Sequence, residues 1–297
     1  MVKFKVLKKI GKKIELFFSR IKQVFIIFYL VFFCGGRDVI KKYKKRGLDD
    51  VKILTDTVPI WTCWWQGYEN MPLVVKSCYK SIQMHANNHP VILITERNYS
   101  KYVDFPEVII QKLRDGIIDL THFSDILRMA LLSKYGGIWM DCTLLIPLLD
   151  IDTFLPKEKF WSCHHYTKYN NVSRGGWTSF FFACGENNPL PAFILDMHLK
   201  YWKSRNNLID YLLLDYVFAI AMFTVPCIHN MVKEVPMTKM GPLGKLLNDE
   251  YTEKKWMKLC EDYNFHKLTY KIPLHINNEQ GKRTFYGHIV ESFAPCD

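Results

Sequence analysis

The chain has 297 residues, 49% of them apolar and 15% aromatic. That is enough to bury a sizeable core in one large domain, and it excludes a disordered chain. The formal charge of +11 is unevenly held: residues 1–50 carry fourteen Lys or Arg and four acids, net +10, so residues 51–297 are close to neutral. A neutral body with no visible base-stacking module argues against nucleic acid as a partner.

The first fifty residues read as an arm. Lys-rich stretches flank eleven apolar residues, Val24 to Cys34. That run is short of the roughly 20 residues that cross a bilayer, and extending it back to Ile14 takes in Arg20 and Lys22. The pattern predicts an interfacial helix with basic flanks on an anionic cytoplasmic leaflet, where each basic residue adds about 1 kcal/mol. The alternative is a helix packed on the protein's own body. A secretory signal fits poorly, because Cys34-Gly35-Gly36-Arg37 gives no A-x-A-like cleavage site. The basic run Lys41 to Arg46, with Gly47, closes the arm.

Val58 to Trp65 reads as a buried first strand, and Gln66 to Asn70 as the loop after it. Ligands of open α/β sheets bind beyond the carboxyl ends of strands, so Trp65 can offer a flat face there. Trp61 and Trp64 read as core. Pro72 opens a helix running from Leu73 to Ala86, and Val91 to Thr95 forms a second strand. Together they make a βαβ unit. Tyr99 to Ile118 reads as irregular, with Pro106 and Gly116 as breakers.

A helix follows in which Asp125 and Arg128 share a face at i, i+3 spacing, while Ile126, Leu127, Ala130 and Leu131 fill the other side. Gly136-Gly137 stops it, and Ile138 to Ile146 reads as a strand. Alternation puts Trp139, Asp141 and Thr143 on one face and Met140, Cys142 and Leu144 on the other. Each charge alone has a bland reading, as a solvated ion pair or a strand end. The conjunction says more. A carboxylate inside Ile-Trp-Met-Asp-Cys-Thr-Leu-Leu-Ile is mostly buried and needs a cation or hydrogen bonds. Two carboxylates and a fixed guanidinium suit a metal-bound, doubly negative phosphate ligand with sugar hydroxyls.

Beyond residue 147, Phe160 to His165 reads as a strand whose two histidines face opposite ways and serve as structural residues. Thr178 to Cys184 is another strand. Leu190 to Tyr201 and Leu208 to Phe223 are helices, and the second holds Asp215 among apolar neighbours. Gly241-Pro242-Leu243-Gly244 is a turn able to approach a ligand, and Asn248 to Asn264 a polar helix. His275 and His288 read as surface or hydrogen-bonded residues, with His288 as the alternative that completes the metal or phosphate site. Nine cysteines, odd in number and without C-x-x-C, indicate buried thiols in a reducing compartment.

Ser124-Asp125-x-x-Arg128 followed by Tyr135-Gly136-Gly137-Ile138-Trp139-x-Asp141 resembles the sugar-nucleotide glycosyltransferases with a DXD motif, above all the bacterial capsular polysaccharide synthesis group. Yeast mannosyltransferases and the large clostridial glucosylating toxins are more distant. The resemblance extends to Ile60 through Gly67, Pro72 and Val91 through Thr95. It is strong over residues 58–146 and weaker to about residue 245. It implies an α/β fold of GT-A type, a Rossmann-like nucleotide-binding sheet flanked by helices. In that scheme residues 1–50 are the membrane-associating arm and 51–297 the transferase domain, with 51–146 as donor-binding core and 147–297 on the acceptor side. Carried over residue by residue, Trp65 stacks on the nucleobase, Gln66 lies in the donor loop, and Asp125 binds donor hydroxyls. Arg128 faces sugar or diphosphate, Asp141 is the first acid of the motif, and Asp215 lies near the sugar. The motif's third position is Thr143, a hydroxyl where the pattern has an acid, so direct metal ligation by Asp141 and Thr143 is weakened.

The resulting expectation is transfer of a sugar from a nucleotide-diphosphate donor to a saccharide acceptor, lipid-linked, with retention and with Mn2+ or Mg2+. The site of action is the inner face of the cell membrane, on an anionic surface. Two rivals stand beside it: a degenerate nucleotide-sugar-binding protein, and a membrane-surface adaptor in which the arm is the function.

Overall fold

Three short apolar strands organise the structure, a computed structural model that describes residues 2–164, 171–238 and 240–294. Strands β1 (Ile60–Cys63), β2 (Val91–Ile94) and β3 (Gly137–Met140) pair in parallel with β1 in the middle, Ile60 standing opposite both Val91 and Ile138. After β4 (Leu144–Leu145), strands β5 (Phe160–Ser162) and β6 (Phe181–Cys184) extend the sheet antiparallel, giving the order β2-β1-β3-β6-β5. Strand β4 leaves this sheet and pairs with β7 (His266–Lys267). The expected α/β architecture, a mixed sheet flanked by helices, is present.

Helices α1 (Val2–Phe33) and α2 (Gly36–Tyr43) precede the sheet, and α3 (Leu73–Met84) crosses from β1 to β2. Next come α4 (Glu107–Arg114) and α5 (Leu120–Tyr135). Asp119 caps α5 by accepting from His122 N. The chain then enters β3 through Gly137, whose φ of 101° suits glycine and where a Cβ would lie 2.5 Å from Pro59 O. Helices α6 (Pro189–Ser204), α7 (Leu213–Thr224) and α8 (Pro226–Lys233) follow β6, and α9 (Glu253–Asp262) and α10 (Phe285–Ser292) complete the described chain.

Two cores hold these layers. The larger joins the sheet to α5, α6 and α7 around Trp139, Trp161, Phe181, Phe193 and Phe218. Fully burying side chains of this size contributes about 1.5–3 kcal/mol each. The smaller joins α3, α9 and α10 to Cys142 and Leu145 at the far end of β3.

Several elements differ from the sequence reading for identifiable reasons. The strand expected over Ile138–Ile146 breaks at Asp141. Asp141 N donates to Phe180 O, and Leu144 N donates back to Asp141 O, so a turn separates β3 from β4. The stretch read as irregular holds α4, because Pro106 and Gly116 bound a helix that fits between them. Helix α7 starts five residues later than expected, and Pro226 opens α8 after a bend of 108°. Helix α10, capped by Thr284, was not read from the sequence.

The arm is packed at one end and exposed at the other. Ile26, Leu30, Cys34, Val39 and Tyr43 belong to the main core. Tyr43 Oη and Lys42 Nζ both donate to Asp196 Oδ2, at 3.0 and 2.7 Å. Lys22 pairs with Asp210 at 2.6 Å. The outward face of α1 carries exposed Phe17, Phe18, Val24, Phe25 and Phe33. The eight cysteines among the described residues form no disulfide. His165 lies outside the described residues, and His164 Nδ1 is 3.1 Å from Val235 O.

Candidate active site

The chain runs from β1 outward to β2, then returns to place β3 on the other side of β1. Ligands of open α/β sheets bind beyond the carboxyl ends of the strands at such a reversal. A cleft of about 470 Å³ lies there. Trp64, Trp65 and Gln66 line it from the end of β1, Ser124 from α5, Asp141 and Thr143 from the turn after β3, and Lys267 through Lys271 from the segment after β7.

Asp141 is the best-partnered group in the cleft. Trp139 Nε1 donates to its Oδ1 at 2.8 Å, and Arg128 Nη2 reaches the same oxygen at 3.3 Å. Lys267 Nζ donates to Oδ2 at 2.5 Å. Burial alone would raise the carboxyl's pKa, but the charges of Lys267 and Arg128 and the hydrogen bonds from Lys267 and Trp139 hold it below the usual carboxylate value.

Arg128 sits beneath Asp141 and is only 3% exposed. Its guanidinium lies 4.8 Å from the centre of the Trp139 ring, and its Nη1 is 3.1 Å from Asp125 Oδ1. Burial lifts Asp125 to a pKa of about 6, although Arg128 opposes the rise. Asp215 accepts from Trp177 Nε1 at 2.7 Å, and burial lifts it to about 6 as well. The Trp177 ring stacks on Phe218 at 4.3 Å.

The cleft therefore gathers Trp65, Gln66, Asp141 and Thr143 from the sequence-predicted residues. Asp125, Arg128 and Asp215 do not line it. Asp125 and Arg128 brace it through Asp141, and Asp215 is tied to Trp177. Trp61 is core, with Nε1 donating to Gly136 O at 2.9 Å. Trp64, read as core, is half-buried and lines the cleft, edge-on to Tyr270 at 5.4 Å. Trp65 packs against Tyr99 at 5.2 Å and edge-on against Phe123 at 4.9 Å.

Lys267, Tyr270 and Lys271 were missed. Their only signal in the chain is a lysine within a two-residue strand, which gives no hint of its partner. The turn at Gly241 approaches β7 and not a ligand: a Cβ there would lie 1.8 Å from the His266 ring, and Gly241 N donates to Phe265 O. His288 stacks on Tyr251 at 4.0 Å, and His275 N donates to Asn248 Oδ1.

A divalent cation bridging protein and phosphate needs a carboxylate oxygen turned toward it. Both oxygens of Asp141 are already engaged by cationic or N–H donors, and Thr143 brings no charge. Among the described residues no group of three His, Cys, Asp or Glu side chains could hold an ion. The described side chains offer Mn2+ or Mg2+ one carboxylate engaged by three donors and one hydroxyl, which is a poor fit for either ion.

Sheet and cleft together define an open α/β protein with its cleft at the topological switch point, lined by the indoles of Trp64 and Trp65 and by Lys267 and Lys271. The chain belongs to the capsular polysaccharide synthesis protein family, which it matches over residues 36–289. It is 33% identical over 97 residues to the O-glycosyltransferase braB of Annulohypoxylon truncatum, a stretch that is 30% of this chain and 23% of that protein. The chain thus spans under a quarter of that relative's length. It is similar to the solved PaToxG glycosyltransferase, with a TM-score of 0.40 and 12% identity, over 84% of this chain and 95% of that one.

Proposed function

We propose that this chain is a glycosyltransferase of capsular or surface polysaccharide synthesis, moving a sugar from a nucleotide-diphosphate donor to a saccharide acceptor. The carrying observation is the set of groups gathered in one cleft: the Trp64 and Trp65 side chains, Asp141, and Lys267 with Lys271. Indole faces suit a nucleobase, ammonium groups suit a diphosphate, and a carboxylate among them suits sugar hydroxyls. A carboxylate has about four lone-pair sites. Three donors occupy Asp141, which leaves room on Oδ2 for a sugar hydroxyl.

In the reaction, the bond between the sugar's anomeric carbon and the phosphate oxygen breaks, and its electron pair leaves with the nucleoside diphosphate. A bond forms from the acceptor oxygen to that carbon. With retention, the acceptor's proton passes to the departing phosphate oxygen, so no protein base is assigned. Arg128, held by Asp125 and the Trp139 ring, keeps Asp141 charged and oriented.

The acceptor is lipid-linked in this reading, and the protein works at the inner face of the membrane. Two features support membrane contact: the net charge of +10 in residues 1–50 and the exposed phenylalanines of α1. Lys13–Phe33, 21 residues, is long and apolar enough to cross a bilayer, with mean hydropathy 1.8 over an 18-residue window. The burial of Ile26 and Leu30 on the body and the Lys22–Asp210 pair favour a helix lying on the surface instead.

A panel of sugar nucleotides tests the function. Release of nucleoside diphosphate from one donor, abolished by altering Asp141, is the expected result. Donor binding without turnover would leave the binding-protein reading in its place, and a panel in which no donor binds would leave the adaptor reading.

A further inference from the structure

We infer that Lys267 is the cation that receives the donor's diphosphate, so that this chain transfers sugar without a divalent metal. The inference rests on the glycosyltransferase reading above and deepens it. Four observations carry it.

The first is position. Lys267 lines the same cleft as Asp141, at the place where the resemblance puts a metal. Its Nζ is 2.5 Å from Asp141 Oδ2 and 5.2 Å from the centre of the Phe180 ring. The side chain is 27% exposed. An ammonium carries three N–H donors. One is committed to Asp141, which leaves two for a ligand of the cleft that the lysine lines.

The second is charge balance. Two carboxylates plus a divalent ion sum to zero. One carboxylate plus one ammonium sum to the same value. Thr143 in place of an acid and Lys267 beside Asp141 are therefore complementary: the lost negative charge removes the attraction for a metal, and the added positive charge replaces what the metal brought. A metal approaching Asp141 would have to displace Lys267 and would meet Arg128 behind it.

The third is construction. Strand β7 pairs with β4, with Leu144 opposite Lys267. Leu268 N donates to Thr143 O at 2.8 Å, which bonds the lysine's strand to the Asp141–Thr143 turn itself. Gly241 lets the neighbouring segment press against His266, the residue before the lysine. Both positions of the motif and the lysine form one hydrogen-bonded unit.

The fourth is the wall beyond. Lys271 lines the cleft on the same segment, which brings a second ammonium to the same cleft. A diphosphate departing with the bond's electron pair gains negative charge beside both. Lys267 donates hydrogen bonds in this step and moves no proton; the acceptor's proton travels to the leaving phosphate.

The test is binding of a panel of nucleoside diphosphates to the full chain, by calorimetry in EDTA and again with Mn2+. It is repeated for Lys267→Met and Lys267→Arg, with Mn2+ alone followed by electron paramagnetic resonance. Wild type is expected to bind one diphosphate equally in both conditions and to bind no Mn2+ without it. Lys267→Met should weaken diphosphate binding in EDTA at least about tenfold. Lys267→Arg should recover most of the diphosphate affinity, and this rescue separates loss of charge from misfolding. Diphosphate binding by wild type only with Mn2+ present, or unchanged binding by Lys267→Met, overturns the inference and leaves the transferase reading standing. No diphosphate binding in either condition overturns both.

Discussion

Lys267 Nζ and Asp141 Oδ2 lie 2.5 Å apart although 126 positions separate them in the chain. The pair joins the C-terminal segment to the turn after β3 and fixes the charge at the floor of the cleft. Asp141→Asn keeps an acceptor for Trp139 but removes the charge that holds Lys267 and Arg128 in place. Turnover should fall by about 10²–10³-fold, the scale seen when one preorganised polar group at a reacting centre is lost. The far-ultraviolet circular dichroism spectrum should be unchanged. Near-normal transfer by the variant would remove Asp141 from the site.

Local rules made half of this site legible. The i, i+3 spacing of Asp125 and Arg128, the glycine pair and the apolar run around Asp141 are features of one continuous segment, and β1, α3, β2 and α5 follow from periodicity and punctuation. Three things were not legible. The break at Asp141 depends on Phe180 O, a partner from a distant loop. The lysine depends on β4–β7 pairing, for which two residues per strand give no pattern. The depth of Arg128 depends on α5 seating against β3, so spacing that fits an exposed ion pair fits a buried one equally well.

Gly241→Ala tests the seating of β7. The added carbon would lie 1.8 Å from His266 Nδ1, and His266 is fully buried with no room to turn away. Overpacking of this kind costs about 1–3 kcal/mol, and more when the backbone must move. The urea midpoint should drop accordingly. Donor affinity should fall as well, because Lys267 follows His266 in the strand. A variant as stable as wild type would show that the segment yields without strain.

Asp215 predicts a pH-dependent gain in stability. Burial raises its pKa to about 6 in the folded chain, against an ordinary value of 3.8. The folded state therefore favours the protonated form. The group's stabilising contribution is full below the unfolded pKa and is lost as pH rises through about 6. Above that, the folded chain carries a buried charge at a cost of up to about 3 kcal/mol, at 1.36 kcal/mol per unit. Asp215→Asn keeps the Trp177 hydrogen bond and removes the charge. Its melting temperature should exceed that of wild type at about pH 8, and the two should converge toward about pH 4. A difference independent of pH would mean that the carboxyl is not desolvated.

The outward face of α1 supplies the final prediction. Phe17, Phe18 and Phe25 are each 62% exposed, so serine at these positions should change folding stability by less than about 0.5 kcal/mol. Inserting a phenylalanine side chain into a bilayer surface recovers on the order of 1.5–3 kcal/mol. Loss of three should therefore cut partition into phosphatidylserine-containing vesicles by well over about tenfold. Raising salt from about 0.1 to about 1 M shortens the screening length from about 10 to about 3 Å and should weaken wild-type binding independently, through the lysines of the arm. The two effects act on different residues and should combine additively in free energy. Flotation of the triple serine variant with vesicles at low salt, to the same extent as wild type, would mean that this face meets something other than lipid.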